Sequence, residues 1–161
     1  MSDIERRLAA MGLELPPPFP VPSHLSLPFD VVQVDGLRVL ASGHGPQAAD
    51  GSLAGPFGKL GAELTVEEGY RAARLVALSM LASIKRSIGD LDRIRRWHRV
   101  FGMVNSAPGF AQQPGVINGF SDLILELYGR ERGGHTRSAV GMAELPFHMP
   151  VEIEAELSLM P

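Results

Sequence analysis

Apolar and polar positions along this chain switch between helical spacing and strict alternation, and the switches mark out its elements. Ile4, Leu8 and Met11 recur at helical spacing, and Ser2 and Glu5 are placed to cap one another reciprocally, so residues 3–13 are expected to form a short amphipathic helix. Pro16, Pro17 and Pro18 end it, and the stretch through Pro28 should be extended, because proline fixes φ and removes a backbone donor. Residues 1–28 thus read as an arm that wraps the domain formed by residues 29–161. Val31-Val32-Gln33-Val34 and Leu37-Arg38-Val39-Leu40-Ala41 flank Asp35-Gly36, a strong signal for a two-residue hairpin turn. Gly43, Gly45 and Pro46 then break the second strand, and Gln47 to Glu63, rich in Gly and Pro, reads as a loop.

Thr65 and Glu68 form a second capping box, and Val66, Tyr70, Ala73, Ala77, Met80 or Leu81, Ile84 and Ile88 follow at helical spacing up to Gly89, a C-terminal cap. A strand is expected over residues 95–104, with Trp97, Val100, Phe101 and Val104. Pro114 opens another helix, whose stripe of Val116, Phe120, Leu123, Ile124 and Leu127 runs to Tyr128 before Gly129. Two strands follow, over residues 138–143 and 151–159. The last places Val151, Ile153, Ala155, Leu157 and Leu159 on one face and Glu152, Glu154, Glu156 and Ser158 on the other. The order is hairpin, helix, strand, helix, two strands: an α+β domain whose two amphipathic helices cover one face of a single sheet. The strands over 95–104 and 138–143 carry apolar or small residues on both faces, so another copy of the chain is expected to cover the second face.

Composition narrows the chemistry. Hydrophobic residues at 45% and charged residues at 20% suit a folded core rather than disorder. No apolar run approaches the ~20 residues that span a bilayer, and the first residues lack the pattern of a secretory signal. With cysteine absent, disulfides, thiol catalysis and thiolate-bound zinc are excluded, and a cytoplasmic location is expected. A net charge of −3 gives no general attraction for a phosphate backbone. Lys85, Arg86, Arg93, Arg95, Arg96 and Arg99, with Trp97 and His98 among them, read first as a solvated helix end and strand start, with nucleic-acid contact the weaker alternative. The histidines at 24, 44, 98, 135 and 148 lack the paired spacing of a metal hydrolase, and neither a phosphate loop nor a serine-nucleophile elbow occurs.

Three segments carry a resemblance: Thr65-Val66-Glu67-Glu68-Gly69 opening an Ala-rich helix, His135-Thr136-Arg137-Ser138-Ala139-Val140, and Val151-Glu152-Ile153-Glu154-Ala155. In this order and rough spacing, with Ala41-Ser42-Gly43 and Asn118, the region from Phe29 to Leu159 resembles the RidA/YjgF family, whose members also bear the name L-PSP endoribonuclease. The resemblance implies a chorismate-mutase-like two-layer α+β domain, with a mixed sheet and two helices on one face, assembled as a homotrimer with clefts between subunits. It implies hydrolysis of reactive imine or enamine intermediates, such as 2-aminoacrylate, to 2-keto acids and ammonia, with no metal or organic cofactor.

The same resemblance assigns roles. Arg137 matches the family's carboxylate-binding arginine, a planar fork suited to a carboxylate, and Glu152 its water-positioning glutamate. Read without the family, Arg137 is a surface arginine paired with a nearby acid, and alternation alone does not choose among Glu152, Glu154 and Glu156. Gly43 and Ala139 match positions where backbone amides approach the ligand, and Asn118 matches a family asparagine that can equally bond structure. His44 departs from the more usual glutamine; it reads first as a turn histidine, and otherwise as a neutral donor or an acid lining the cleft. Phe29 stands where the family has its site tyrosine, and Ala139 where it commonly has cysteine. The partner expected is a small carboxylate-bearing imine, enamine or keto acid. A trimeric binder of small carboxylic metabolites without turnover is the second reading, and ribonuclease activity the third.

Overall fold

In the computed structural model, which describes residues 2–24 and 26–161, a five-stranded sheet is covered on one face by helices. Leu25, within the expected extended stretch, lies outside the described residues. The elements are α1 (Asp3–Ala10), β1 (Val32–Asp35), β2 (Arg38–His44), α2 (Val66–Ile88), β3 (Ile94–Asn105), α3 (Gln113–Gly133), β4 (Thr136–Met142) and β5 (Val151–Leu159), with single 3-10 turns at Leu91–Arg93 and Pro146–His148. The sheet order is β1-β2-β5-β3-β4. Every pairing is antiparallel except β3 with β4, which run parallel because α3 carries the chain back between them. The mixed sheet with helices on one face matches the expectation.

Local chemistry accounts for the helix ends. Thr65 Oγ1 accepts from the Glu68 amide (3.2 Å) while the Glu68 carboxylate accepts from the Thr65 amide (2.8 Å), and Gly89 closes α2 at φ 84°. Helix α1 stops at Ala10, three residues before its expected end. It is tied to the domain: the Asp92 carboxylate accepts from the amides of Asp3 and Ile4, and Arg7 donates to the Leu127 carbonyl at 2.6 Å. Ile4 and Leu8 belong to the main core. Helix α3 passes the expected stop. Gly129 breaks it at φ 69°, ψ 175°, and a further turn follows, held by Arg132 donating to the carbonyls of Asp92 and Ile94.

The core lies between the sheet and α2/α3. Trp97 is fully buried and meets Phe120 and Tyr128 edge-on, with ring centroids 5.8 and 6.1 Å away. Its neighbours Arg95, Arg96, His98 and Arg99 are exposed, the solvated strand start that the sequence suggests. Val39, Val100, Ile153 and Leu157 share the helix-covered face, while pairing of Met103 with Glu152 and Phe101 with Glu154 puts those four on the other.

Strand β2 departs from expectation in a way that shapes the site. Gly43 does not end it. Ala41 pairs with Ala155 and His44 with Ile153, so three steps on β2 oppose two on β5: a β-bulge. The extra residue reverses the alternation and turns His44 to the core side, where Ile153 lies, leaving it 6% exposed.

The two helices cross closely at Gly119, where an added Cβ would stand 2.0 Å from the Tyr70 carbonyl oxygen. Gly119→Ala is therefore expected to destabilise the fold by about 1–3 kcal/mol, read as a lower urea midpoint with little change in slope.

Candidate functional site

A cavity of about 480 Å³ opens beside the β2 bulge, lined there by Gly43, His44, Gly45, Glu152 and Met149, and on the outside by Phe19 and Leu27 of the arm, Phe29, and Phe147. It sits beyond the last β1–β2 pair, Val32 with Ala41, and past the Ser42 amide's bond to the Val31 carbonyl (3.0 Å). The Glu152 carboxyl lies directly over the Gly43 backbone: a Cβ at Gly43 would come within 2.3 Å of Glu152 Oε1, so this approach requires glycine. Burial, and secondarily the charge of Glu154, push the Glu152 carboxyl above the ordinary range. A second concavity of about 440 Å³, around Arg99, Phe101 and Glu154 on the open sheet face, includes neither Glu152 nor His44. The half-buried acid marks the first as the candidate site.

His44 Nδ1 lies 2.6 Å from the Ser42 carbonyl oxygen, which can only accept, so Nδ1 carries the hydrogen. Burial lowers the pKa of the ring and keeps it neutral. Nε2 is then an acceptor, buried and without a partner among the described residues. His44 thus offers the cleft neither the donor nor the acid considered from sequence, since Nδ1 is engaged with Ser42 and Nε2 is sealed from the surface. The polar groups on the helix side of the cavity, from α2 and from the loop after β2, are occupied differently. Arg86 donates to the Pro16 carbonyl (3.3 Å) and Ser83 Oγ (2.9 Å), while Gln47 donates to the carbonyls of Gly51 (2.6 Å) and Pro17 (3.4 Å) and accepts from Ser79 Oγ (2.5 Å). The two bonds to Pro16 and Pro17 fasten the arm beside the cavity.

Arg137 is elsewhere. Its register with Val100 puts it on the helix-covered side of β4, opposite in face to Glu152 and at the other edge of the sheet. Its Nη2 donates to Asn118 Oδ1 (2.7 Å) and the Pro114 carbonyl (3.2 Å), and its Nη1 to Ser121 Oγ (3.0 Å). Ser121 in turn meets His135 Nε2 at 2.9 Å, and His135 Nδ1 lies 2.7 Å from the Gly133 carbonyl. Burial and the Arg137 charge hold His135 below its ordinary pKa, so it stays neutral and accepts from Ser121. Asn118 therefore holds Arg137, and Ala139 lies two residues along the same side of β4, against the core.

The structure thus gathers Glu152, Gly43, His44 and Phe29 at one cavity and Arg137 with Asn118 at another place; within one chain the two groups do not meet. The sequence reading missed Ser121 and His135 as positioning residues; His135 stands just before β4, two residues ahead of Arg137. Arg86 was hidden in the basic cluster, and nothing in the sequence announced Phe147. That residue and His148 both have φ 57°, a left-handed conformation costing a non-glycine residue about 1–3 kcal/mol.

An α+β sheet with two covering helices and an edge cavity holding a half-buried glutamate defines the class, and the comparisons name it. The sequence profile described as "YjgF/chorismate mutase-like, putative endoribonuclease" matches residues 5–152, and the chain belongs to this YjgF family. The match takes in most of the arm that the resemblance read from the sequence had left outside. Protein TCP17 of Trypanosoma cruzi is 44% identical over 124 residues, 77% of this chain and 76% of that protein. The crystal structure of Atu1372 from Agrobacterium tumefaciens, a protein of unknown function, superposes with a TM-score of 0.84 at 38% identity, covering 97% of this chain and 91% of that one. E. coli TdcF with bound serine shares the fold at 17% identity and a TM-score of 0.56, covering 89% and 93%.

A carboxyl group whose pKa is raised by folding stabilises the fold while protonated, and that contribution is lost as pH rises from its ordinary 4.5 through the raised value. Glu152→Gln is expected to gain thermal stability over the parent as pH climbs from about 4 to about 7.5. A melting-temperature difference that stayed constant across this range would contradict the placement of the carboxyl.

Proposed function

We propose that this chain hydrolyses reactive 2-imino acids, or their enamine tautomers, to 2-keto acids and ammonia. The observation that carries the reading is Glu152: half-buried, raised in pKa, and set over the Gly43 backbone in a cavity large enough for a small metabolite. Water adds its oxygen to the C=N carbon as Glu152 takes its proton. That proton passes to the nitrogen and leaves a carbinolamine; Glu152 then takes the hydroxyl proton and delivers it to the amine, so that C=O forms as the C–N bond breaks and ammonia leaves. A carboxyl group with an elevated pKa suits both halves of this transfer, because it gives the proton up as readily as it takes it.

The substrate carboxylate needs a cation, and Arg137 fits as one supplied by a neighbouring copy. Its strand is one edge of the sheet, while the cavity lies near the other, beside β1 and β2. A ring assembled head to tail brings opposite edges of successive copies together, and a homotrimer closes such a ring. Phe101, Met103 and Val140 on the uncovered sheet face offer apolar surface for it. Three bonds to α3 pre-orient the guanidinium, and Nη2 donates to two of them, so a two-point grip on a carboxylate, which needs Nη2 with Nε or Nη1, displaces the Pro114 carbonyl.

Binding without turnover is the second reading, favoured by the serine held by TdcF, a protein of the same fold. Ribonuclease activity ranks last, since a net charge of −3 offers little to RNA.

Glu152→Gln and Arg137→Ala should each lower kcat/KM for ammonia release by about 10²–10⁴-fold, and Arg137→Lys should not restore the two-point grip. If the site is shared, co-refolding the two inactive variants in equal amounts should recover about one quarter of parental activity, because one interface in four pairs an intact Arg137 with an intact Glu152. No recovery in mixed assemblies confirmed by mass would defeat the shared site. A parent protein that accelerated ammonia release from no imine, yet bound 2-keto acids, would favour the second reading.

A further inference from the structure

The cavity at Glu152 is built asymmetrically. Its polar end is the half-buried Glu152 carboxyl, laid against the exposed Gly43 backbone. Its mouth is apolar. Phe19, Val21 and Leu27 come from the arm, Phe29 and Val31 from the entry to β1, and Phe147 from the 3-10 turn before β5. All six are exposed, Phe147 at 70%, so the chain's own packing does not explain why they gather around one opening.

Two further observations show that this mouth is constructed. The first is the use of the polar wall: Arg86 of α2 and Gln47 of the loop after β2 line the cavity, but Arg86 donates to the Pro16 carbonyl and Gln47 to those of Gly51 and Pro17, so their polarity is engaged within the chain and in part holds the arm in place. The second is the backbone at Phe147 and His148. Both residues are kept at left-handed φ by a net of bonds, from the His148 amide to the Leu145 carbonyl (3.2 Å), from the Met149 amide to the Pro146 carbonyl (3.1 Å), and from the Gly58 amide to the His148 carbonyl (2.9 Å). Strain maintained by three bonds, with an aromatic ring presented to the opening as its result, is a feature of sites rather than of cores.

We propose that the mouth is the pocket for the substrate's side chain, and that this protein acts on imino acids with bulky apolar side chains, branched or aromatic, in preference to the three-carbon 2-aminoacrylate. The inference rests on the deaminase reading for what happens at the polar end and adds what occupies the rest. At about 480 Å³ the cavity lies within the ~300–1,000 Å³ usual for small-molecule sites. A three-carbon acid at Glu152 would leave the apolar mouth in water. A leucine- or phenylalanine-derived chain would remove water from it, at a gain proportional to the apolar area covered. Phe29 fits this assignment, since a phenyl ring at the mouth extends the apolar wall where a tyrosine would place a hydroxyl.

The test compares imines generated in place by an amino-acid oxidase from leucine, phenylalanine and alanine, with ammonia release as the readout. Leucine- and phenylalanine-derived imines should show kcat/KM about tenfold or more above the alanine-derived one. The double variant Phe19→Ala/Leu27→Ala, and separately Phe147→Ala, should shrink that ratio about threefold or more. Equal rates for all three imines, or a preference for the smallest, would overturn the inference while leaving deamination standing. Acceleration of none would count against deamination, and calorimetry on the parent would still decide the pocket: tighter binding of 4-methyl-2-oxopentanoate than of pyruvate supports it, equal or weaker binding overturns it. If the variants break up the assembly in sedimentation and leave the ratio unchanged, the mouth is a contact between copies and the inference fails.

Discussion

The alternation of β5 is the constraint on which the rest of this structure depends. The strand lies in the middle of the sheet, paired with β2 on one side and β3 on the other, so its register sets theirs. Five apolar residues face the helices, and three glutamates face away. A slip of one residue would drive those carboxylates into the core, at a cost that no neighbouring contact could offset. Once that register holds, Glu152 is fixed at the level of Met103 on β3 and beside the bulge on β2.

The three glutamates are chemically alike in sequence and distinct in place. Glu156 pairs with Arg38 at 2.7 Å, and its carboxyl is held below the ordinary range by that bond. Glu154 is exposed. Glu152 has its carboxyl laid against the Gly43 backbone, and burial raises its pKa. Differences between neighbours two residues apart come from what packs beside each, and alternation carries no information about that.

This explains what could and could not be seen in the sequence. Helix α2 was legible at both ends because Thr65, Glu68 and Gly89 act on their own backbone neighbourhood. The hairpin at Asp35-Gly36 and the alternation of β5 were legible for the same reason. The continuation of β2 through Gly43 was not, since a bulge is decided by the partner strand, and with it the inward turn of His44 was hidden. Helix α3 reads as ending at Gly129, where it does break; the added turn exists because Arg132 finds carbonyls on a distant segment. At the site, the resemblance drew attention to Gly43 and Glu152, which do come together. The resemblance could not disclose that Arg137 lies on the opposite face, because facing depends on pairing with β3. The placing of the arm beside the cavity rests on Arg86 and Gln47 bonding to Pro16 and Pro17, contacts spanning 70 and 30 residues that no local pattern encodes.

The sheet order has a further consequence for how the chain is made. Strand β5 joins β2 to β3, yet it follows both in the chain, separated from β2 by more than a hundred residues. During synthesis the hairpin β1–β2 and the unit β3–α3–β4 emerge with one edge each unsatisfied, and neither can close onto the other until β5 has left the ribosome. Completion of the sheet is therefore a late event, and the two open edges are the surfaces a chaperone would shield in the interval.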